Sequence, residues 1–239
     1  MVIIETIRRC GLTSITLLLI CTTISVMSCT VETRFFSDAD APHTYTEFAE
    51  ALAETEGGVS PNDPIDIAFD GAETALALYA ALGRAQKYVN LNLSESSATG
   101  FGDTDVSNPS GMSFIVSIVL PNNLARIGRK AFEGCAYLRE VIIPNSVTEI
   151  GEYAFHSCPS LADITIPESV RYIDRDAFSG CGNLATVRLM GDVRIADNTV
   201  FPSSVKFREV AMRSEDFGTS SYIAARGLYL RNGTEWSRL

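Results

Sequence analysis

From Ser117 onward, apolar and polar positions recur along the chain at a fixed offset, the distance from Pro121 to Pro144 and again from Pro144 to Pro167. Phe132, Phe155, Phe178 and Phe201 keep the same offset. Leu138, Leu161 and Leu184, the cysteines Cys135, Cys158 and Cys181, and the isoleucines Ile127, Ile150 and Ile173 fall on the same lattice. A period of about 23 residues marks a repeat architecture in which each unit is one coil of a solenoid. Within a unit, Leu138, Val141 and Ile143 form an L-x-x-V-x-I strand whose alternate residues point inward. Pro144 ends that strand because it has no N–H to give to a ladder. Val147 to Ile150 is a second short extended piece, Ala154-Phe155 tucks an aromatic ring inside, and the polar stretch around Cys158 leads to the next strand. Stacked coils place equivalent strands about 4.8 Å apart in a parallel sheet. Burying each Phe contributes roughly 2–3 kcal/mol. A lone coil cannot bury both of its faces, so the stack needs neighbours and capped ends.

The flanking patterns predict the caps. Thr46 to Thr55 has helical spacing, Ile65 to Phe69 alternates as a strand, Ala72 to Gln86 is an Ala- and Leu-rich helix, and Val89 to Leu93 alternates again. A β-α-β unit whose second strand lies beside the first repeat strand is expected here. Residues 94–113 are rich in Ser, Gly, Asn and Asp and read as a long loop. After Phe201 the spacing becomes irregular. Val205 to Val210 reads as one more strand, and Gly227 to Arg238 as a hairpin around a type I′ turn at Asn232-Gly233. The hairpin is expected to close a sheet edge that would otherwise invite chain addition.

The N-terminus has a different character. Arg8 and Arg9 precede an uncharged run from Leu12 to Met27. That run is shorter than the roughly 20 apolar residues of a bilayer span, so a secretory signal fits better than an anchor. Ser28 before Cys29 resembles a lipobox, where the signal is cut and the new N-terminal Cys acylated; ordinary signal-peptidase cleavage is the competing reading. The expected organisation is a signal peptide over 1–28, a flexible tether over 29–44 and a cap with its loop over 45–116. Leucine-rich repeats follow over 117–204 and a strand and hairpin cap over 205–239.

Composition narrows the function. The chain of 239 residues is 46% apolar and 20% charged, which excludes collagenous, coiled-coil and wholly disordered proteins. The net charge of −10 argues against an electrostatic grip on nucleic acid. That charge is local: residues 29–116 hold 14 acids and 3 bases, whereas residues 117–239 hold 14 of each. Arg126, Arg129, Lys130, Arg171, Arg175 and Arg188 lie in the neutral half, where a local basic patch is one expectation.

Catalytic chemistry finds little support. A ladder of cysteines along a stack does not converge on a metal, and no His shares its lattice. His156 sits in a slot filled elsewhere by Glu133 and Ser179, and His43, the remaining histidine, lies in the tether. Asp103 to Asn108 resembles the start of a calcium loop but has Asn108 and Phe114 where an EF-hand needs Gly and Glu. No catalytic residue, metal site or cofactor is expected.

The unit from Ile164 to Leu184 closely matches I-x-I-P-x-S-V-x-x-I-G-x-x-A-F-x-x-C-x-x-L, with Asp174 in place of the Gly. It resembles the BspA-type leucine-rich-repeat surface antigens of oral anaerobes and treponemes. Tyr88 to Ser94 is similar to a "YVxLxLS" segment of treponemal relatives. The resemblance implies an α/β repeat fold, a single leucine-rich-repeat solenoid with a parallel sheet face, and an adhesin-like surface lipoprotein. Aligned strands place Asn90, Ser117, Glu140, Asp163 and Thr186 in one outward column and Asn92, Val119, Ile142, Thr165 and Arg188 in the next. Val119 and Ile142 are apolar on a face that water would otherwise cover, as in binding surfaces. Val119, Glu140, Ile142, Asp163, Thr165, Thr186 and Arg188 are the expected protein-binding residues. The expected partner is a host extracellular-matrix or cell-surface protein, with the membrane touched only through a lipid on Cys29. The alternative is a periplasmic lipoprotein with a structural or envelope-assembly partner.

Overall fold

The computed structural model describes residues 34–36, 49, 52–69, 75–97, 101–102, 110–197, 199–202, 207, 211 and 221–239. Residues 1–32 form a unit of their own that lies outside the described residues, and everything below belongs to the second unit. The predicted signal peptide, Cys29, His43 and the calcium-like loop at 103–108 therefore also lie outside the described residues.

The front row is a run of parallel strands. They are β1 (Arg34–Phe36), β2 (Ile65–Phe69), β3 (Val89–Asn92), β4 (Ile115–Val119), β6 (Glu140–Ile142), β8 (Asp163–Ile166) and β10 (Thr186–Leu189). A second row of shorter strands runs along the back: β5 (Arg126–Ile127), β7 (Glu149–Ile150), β9 (Tyr172–Ile173) and β11 (Val193–Ile195). All neighbouring pairs in both rows are parallel, as coils wound in one direction require. The second unit is thus a parallel-sheet solenoid of about five turns. The back ladder is continuous from β5 to β11. The front ladder is not: β4 pairs with β6 and β8 with β10, but no ladder joins β6 to β8.

The core between the two rows is a set of ladders, one residue per coil. Phe132, Phe155, Phe178 and Phe201 stack with centroids 5.2 Å apart and planes within 9° of parallel. All four are buried, as are the Leu138, Leu161 and Leu184 ladder and the Cys135, Cys158 and Cys181 ladder. The turns between rows hold two left-handed positions per coil. One is Lys130, Tyr153 and Asp176, with φ of 61°, 57° and 53°; the other is Gly134, Ser157 and Gly180, with φ of 72°, 57° and 77°.

Both ends of the stack are closed by side chains from outside the repeats. At the start, Phe101 stacks on Phe132 at 6.2 Å and Tyr79 of α1 (Ala75–Ala85) packs edge-on at 6.4 Å. Tyr79 also donates a hydrogen bond to the Ala131 carbonyl at 3.1 Å. The segment read as a long loop contributes to the core: Phe101 and Met112 are buried, and Ser110–Phe114 is a 3-10 turn packed on α1. At the far end, Phe207 lies 4.4 Å from Phe201 and is enclosed by Tyr229 at 4.9 Å and Trp236 at 5.0 Å.

Three expectations change. Of the strand expected over 205–210, the one described residue, Phe207, is helical and buried, because a wide ring is needed to close the Phe stack. The hairpin is present as β13 (Gly227–Asn232) and β14 (Glu235–Arg238), but Asn232 pairs with Glu235, so the turn residues are Gly233 and Thr234. Of these only Gly233 has positive φ, +63°, as in a type II′ turn with Gly first rather than the expected type I′. β1 lies within the span read as a tether and pairs in parallel with β2, so sheet pairing reaches into that segment. The C-terminal edge is closed on both rows by antiparallel strands, β13 on β10 and β12 (Tyr222–Ala224) on β11.

Truncating a middle rung removes contacts to both neighbouring coils. Phe155→Ala is expected to cost about 3–5 kcal/mol in denaturant unfolding, the range for a large buried aromatic. Gly180→Ala is expected to cost about 1–2 kcal/mol from its left-handed backbone alone, and its new Cβ would meet Ser157 Oγ at 2.8 Å. An unchanged midpoint for either variant would contradict this account of the stack.

Candidate binding face of the solenoid

The front face is built by the alternation of each strand. Ile118, Val141, Ile164 and Val187 point into the core and are buried, so their neighbours must point out. The register puts Ser117 opposite Glu140 and Asp163 opposite Thr186, and in the next column Val119 opposite Ile142 and Thr165 opposite Arg188. All seven predicted binding residues therefore share one face. Glu140, Ile142, Asp163, Thr165 and Arg188 are exposed, while Val119 and Thr186 are half-buried. Ile142 stands out, with 49% of its surface open to solvent.

The first column begins as a hydrogen-bonded polar ladder. Asn90 Nδ2 donates to Asp66 Oδ1 at 2.8 Å, and Ser117 Oγ donates to Asn90 Oδ1 at 2.9 Å. It then reaches Glu140 and Asp163, which occupy the same outward position one coil apart. This is where the front ladder is interrupted, and a cleft of about 250 Å³ opens, lined by Glu140 to Ile143 and Asp163 to Thr165. Like charges on adjacent strands are destabilising, which supplies a physical reason for the parting.

Two parts of the face escape a reading of the repeats alone. The hairpin continues both columns, since Leu230 lies opposite Thr186 and Leu228 opposite Arg188, and both leucines are half-buried. The alternation of Leu228 and Leu230 around inward Tyr229 carries that information, but a cap hairpin draws attention to its turn. At the start of the strands, Tyr88 packs against both Phe114 and Tyr137, with centroids 5.3 and 5.1 Å away, to form an aromatic cluster. Phe114 and Tyr137 are one repeat apart and on the lattice, but the slot passes to Ser160 and Asn183, so the cluster ends there.

Much of the charge on the back face is paired. Arg126 pairs with Glu149, and Glu152 lies between Arg129 and Arg175, all at 3.2 Å. Lys130 pairs with Glu133 at 3.2 Å, and His156 Nδ1 lies 3.7 Å from the same carboxylate. Four members of the expected basic patch, Arg126, Arg129, Lys130 and Arg175, are thus matched by acids of a neighbouring coil or the same turn. His156 is half-buried against Tyr153 and Ser157, away from the front strands.

The three repeat thiols are buried. Cys158 and Cys181 donate hydrogen bonds at 3.1 Å to the carbonyls of Phe132 and Phe155, one coil back. Hydrogen bonding between neighbouring thiols, followed by burial, pushes the pKa of both Cys158 and Cys181 well above the ordinary thiol range. Among the described residues, no three His, Cys, Asp or Glu side chains are grouped to hold a metal ion, and no helix is long and apolar enough to cross a membrane.

Residues 111–224 match the family described as a BspA type leucine rich repeat region, in six copies. This segment is a BspA-type leucine-rich-repeat region. Among solved structures, the chain is similar to the leucine rich repeat protein of T. pallidum, with 29% identity over 54% of this chain and 55% of that one and a TM-score of 0.38. It is also similar to a leucine rich cell surface protein from Faecalibacterium prausnitzii A2-165, with 21% identity over 52% of this chain and 38% of that one and a TM-score of 0.36. The chain thus spans about half of the first and less of the second. No curated protein matches it.

The buried BspA-type thiols generate a prediction. Cys135, Cys158 and Cys181 should resist a soluble alkylating reagent in the native protein and react fully after unfolding, as read by peptide mass mapping. Because the folded thiols of Cys158 and Cys181 stay protonated, thiolate forms only in the unfolded chain once the pH exceeds about 8.5. Stability from these groups is complete below that pH and is lost as the pH rises above it. Denaturation midpoints that stay flat across this range would show that the thiols titrate equally in both states.

Proposed function

We propose that the mature protein is a lipid-anchored, surface-exposed binding module. It holds a protein partner on its front face, without catalysis, and serves adhesion to host extracellular-matrix or cell-surface proteins. One observation carries the reading: exposed Ile142 and half-buried Val119 lie side by side on a face rimmed by Glu140, Asp163, Thr165, Thr186 and Arg188. An apolar centre with a polar rim is the anatomy of a protein interface. The back face contrasts with it, since Arg126, Arg129 and Arg175 there are already paired with Glu149 and Glu152. The description of the F. prausnitzii relative as a cell surface protein supports the location, and Ser28-Cys29 supports an acylated N-terminus.

Replacing both Ile142 and Thr165 with Glu puts two charges at the centre of the face without touching the core. Binding to matrix proteins is expected to fall by at least about tenfold, the equivalent of roughly 1.4 kcal/mol, while the thermal midpoint stays near wild type. Unchanged binding in the folded double variant would remove this face from consideration. Location is tested on intact cells: protease should cleave the protein, and fatty-acid labelling should disappear in Cys29→Ala. Protection from protease would place the module on the periplasmic side, with an envelope partner instead.

A further inference from the structure

The front ladder is interrupted at a single junction between two regular coils. On its N-terminal side, Arg139 N–H donates to the Val116 carbonyl at 2.8 Å and Leu120 N–H to Ile142 at 3.1 Å. On its C-terminal side, Ala185 N–H donates to Ala162 at 2.8 Å. The equivalent bonds across the junction would run from Ala162 N–H to Arg139 and from Ile143 N–H to Thr165. Neither is formed among the described residues. The coils are otherwise in register, because β7 pairs with β9 behind the opening and Phe155 stacks on Phe178 at 5.2 Å, as elsewhere. The parting is therefore confined to the front.

Its walls are specific. Glu140 and Asp163 face outward on either side, both exposed and neither in an ion pair among the described residues. Arg139, the nearest cation in sequence, turns away to Asn62 Oδ1 at 2.7 Å. Beside the carboxylates lie exposed Ile142 and Thr165, and behind them the open backbone groups line the cleft of about 250 Å³. The interrupted ladder supplies hydrogen-bonding groups, and the carboxylates supply a negative field with no internal counter-charge.

We infer that the β6/β8 cleft is a socket for one Lys or Arg side chain of a protein partner. The cation lies between Glu140 and Asp163 and its aliphatic stem rests on Ile142. Charge complementarity selects the occupant: two carboxylates one coil apart repel each other and hold the cleft open until a cation bridges them. A long stem with a charged head matches an apolar wall beside an acidic mouth. The inference deepens the proposed function and rests on its assignment of the front face as the binding surface.

The test uses the whole chain, isotope-labelled, with three extended probe peptides that alternate Val with Lys, Val with Glu, or Val with norleucine. The Val-Lys peptide is expected to shift the amide signals of Glu140, Ile142, Asp163 and Thr165 and to slow hydrogen exchange at Ala162 and Ile143. Combining Glu140→Gln with Asp163→Asn should weaken that binding about tenfold, as expected for loss of two partly exposed charge contacts. Glu140→Lys should abolish it and, even without peptide, slow exchange at the same two amides by pairing internally with Asp163. The proposal is overturned if the Val-Glu or norleucine peptide binds as well, or if calcium shifts these signals and the Val-Lys peptide does not. It is also overturned if no peptide perturbs the junction while Ile142→Glu still abolishes matrix-protein binding, an outcome that leaves the proposed function standing. Conversely, a Val-Lys peptide that binds as described, with matrix-protein binding untouched by the Ile142 and Thr165 replacements, retains the socket and removes the adhesion reading.

Discussion

A single coil of this solenoid has two faces to bury and too few side chains to bury them with, so its core exists only where another coil lies against it. The Phe132 to Phe201 stack is the plainest expression of this constraint, since each ring takes its contacts from the rings above and below. The same need shapes both ends. Phe101 and Tyr79 meet the first regular ring from outside the repeats, and Phe207, Tyr229 and Trp236 enclose the last. Repeat arrays generally require such atypical terminal units. Closure of the two strand rows follows the same logic, because β12 and β13 run antiparallel and end a pairing that parallel coils would otherwise extend.

Stacking also explains how charge is arranged. A side chain on the back meets its counterpart one repeat later, so an alternation such as Arg129, Glu152, Arg175 becomes a ladder of attractive neighbours. Each pair is exposed enough that its contribution is small, roughly 0–1 kcal/mol. On the front the same geometry sets Glu140 beside Asp163. The overall acidity of the chain has a third origin, since it comes from residues 29–116.

The repeats were legible because one residue type filled one slot in successive coils: Phe155, Leu161 and Cys158 each repeat at the offset, and each is a buried rung. The outward columns followed, since a period-two strand fixes every other side chain once Val141 and Ile164 are known to point inward. Elements with no repeat were read less well. Phe207 lies in a segment with strand-like alternation, but its role is to close the Phe stack, and it does so from a helical backbone. Phe101 sits in a Ser- and Gly-rich stretch whose composition spoke for a loop, while its single ring supplies the rung before Phe132. The column that holds Glu140 and Asp163 was visible in the sequence; the interruption between their two strands was not, because a hydrogen-bond ladder failing on one row and holding on the other leaves no mark in residue types. The back-face pairs were missed because cations were counted without the acids one coil away.

The continuity of β5, β7, β9 and β11 behind a divided front has a mechanical consequence. The back row and the aromatic stack act as a spine that resists stretching and sliding, since either would break a bond or a ring contact in every coil. Opening at the front of the β6/β8 junction would break no bond of the back ladder and need not part Phe155 from Phe178. A side chain wedged there would therefore alter the curvature of the front face while leaving the back row intact.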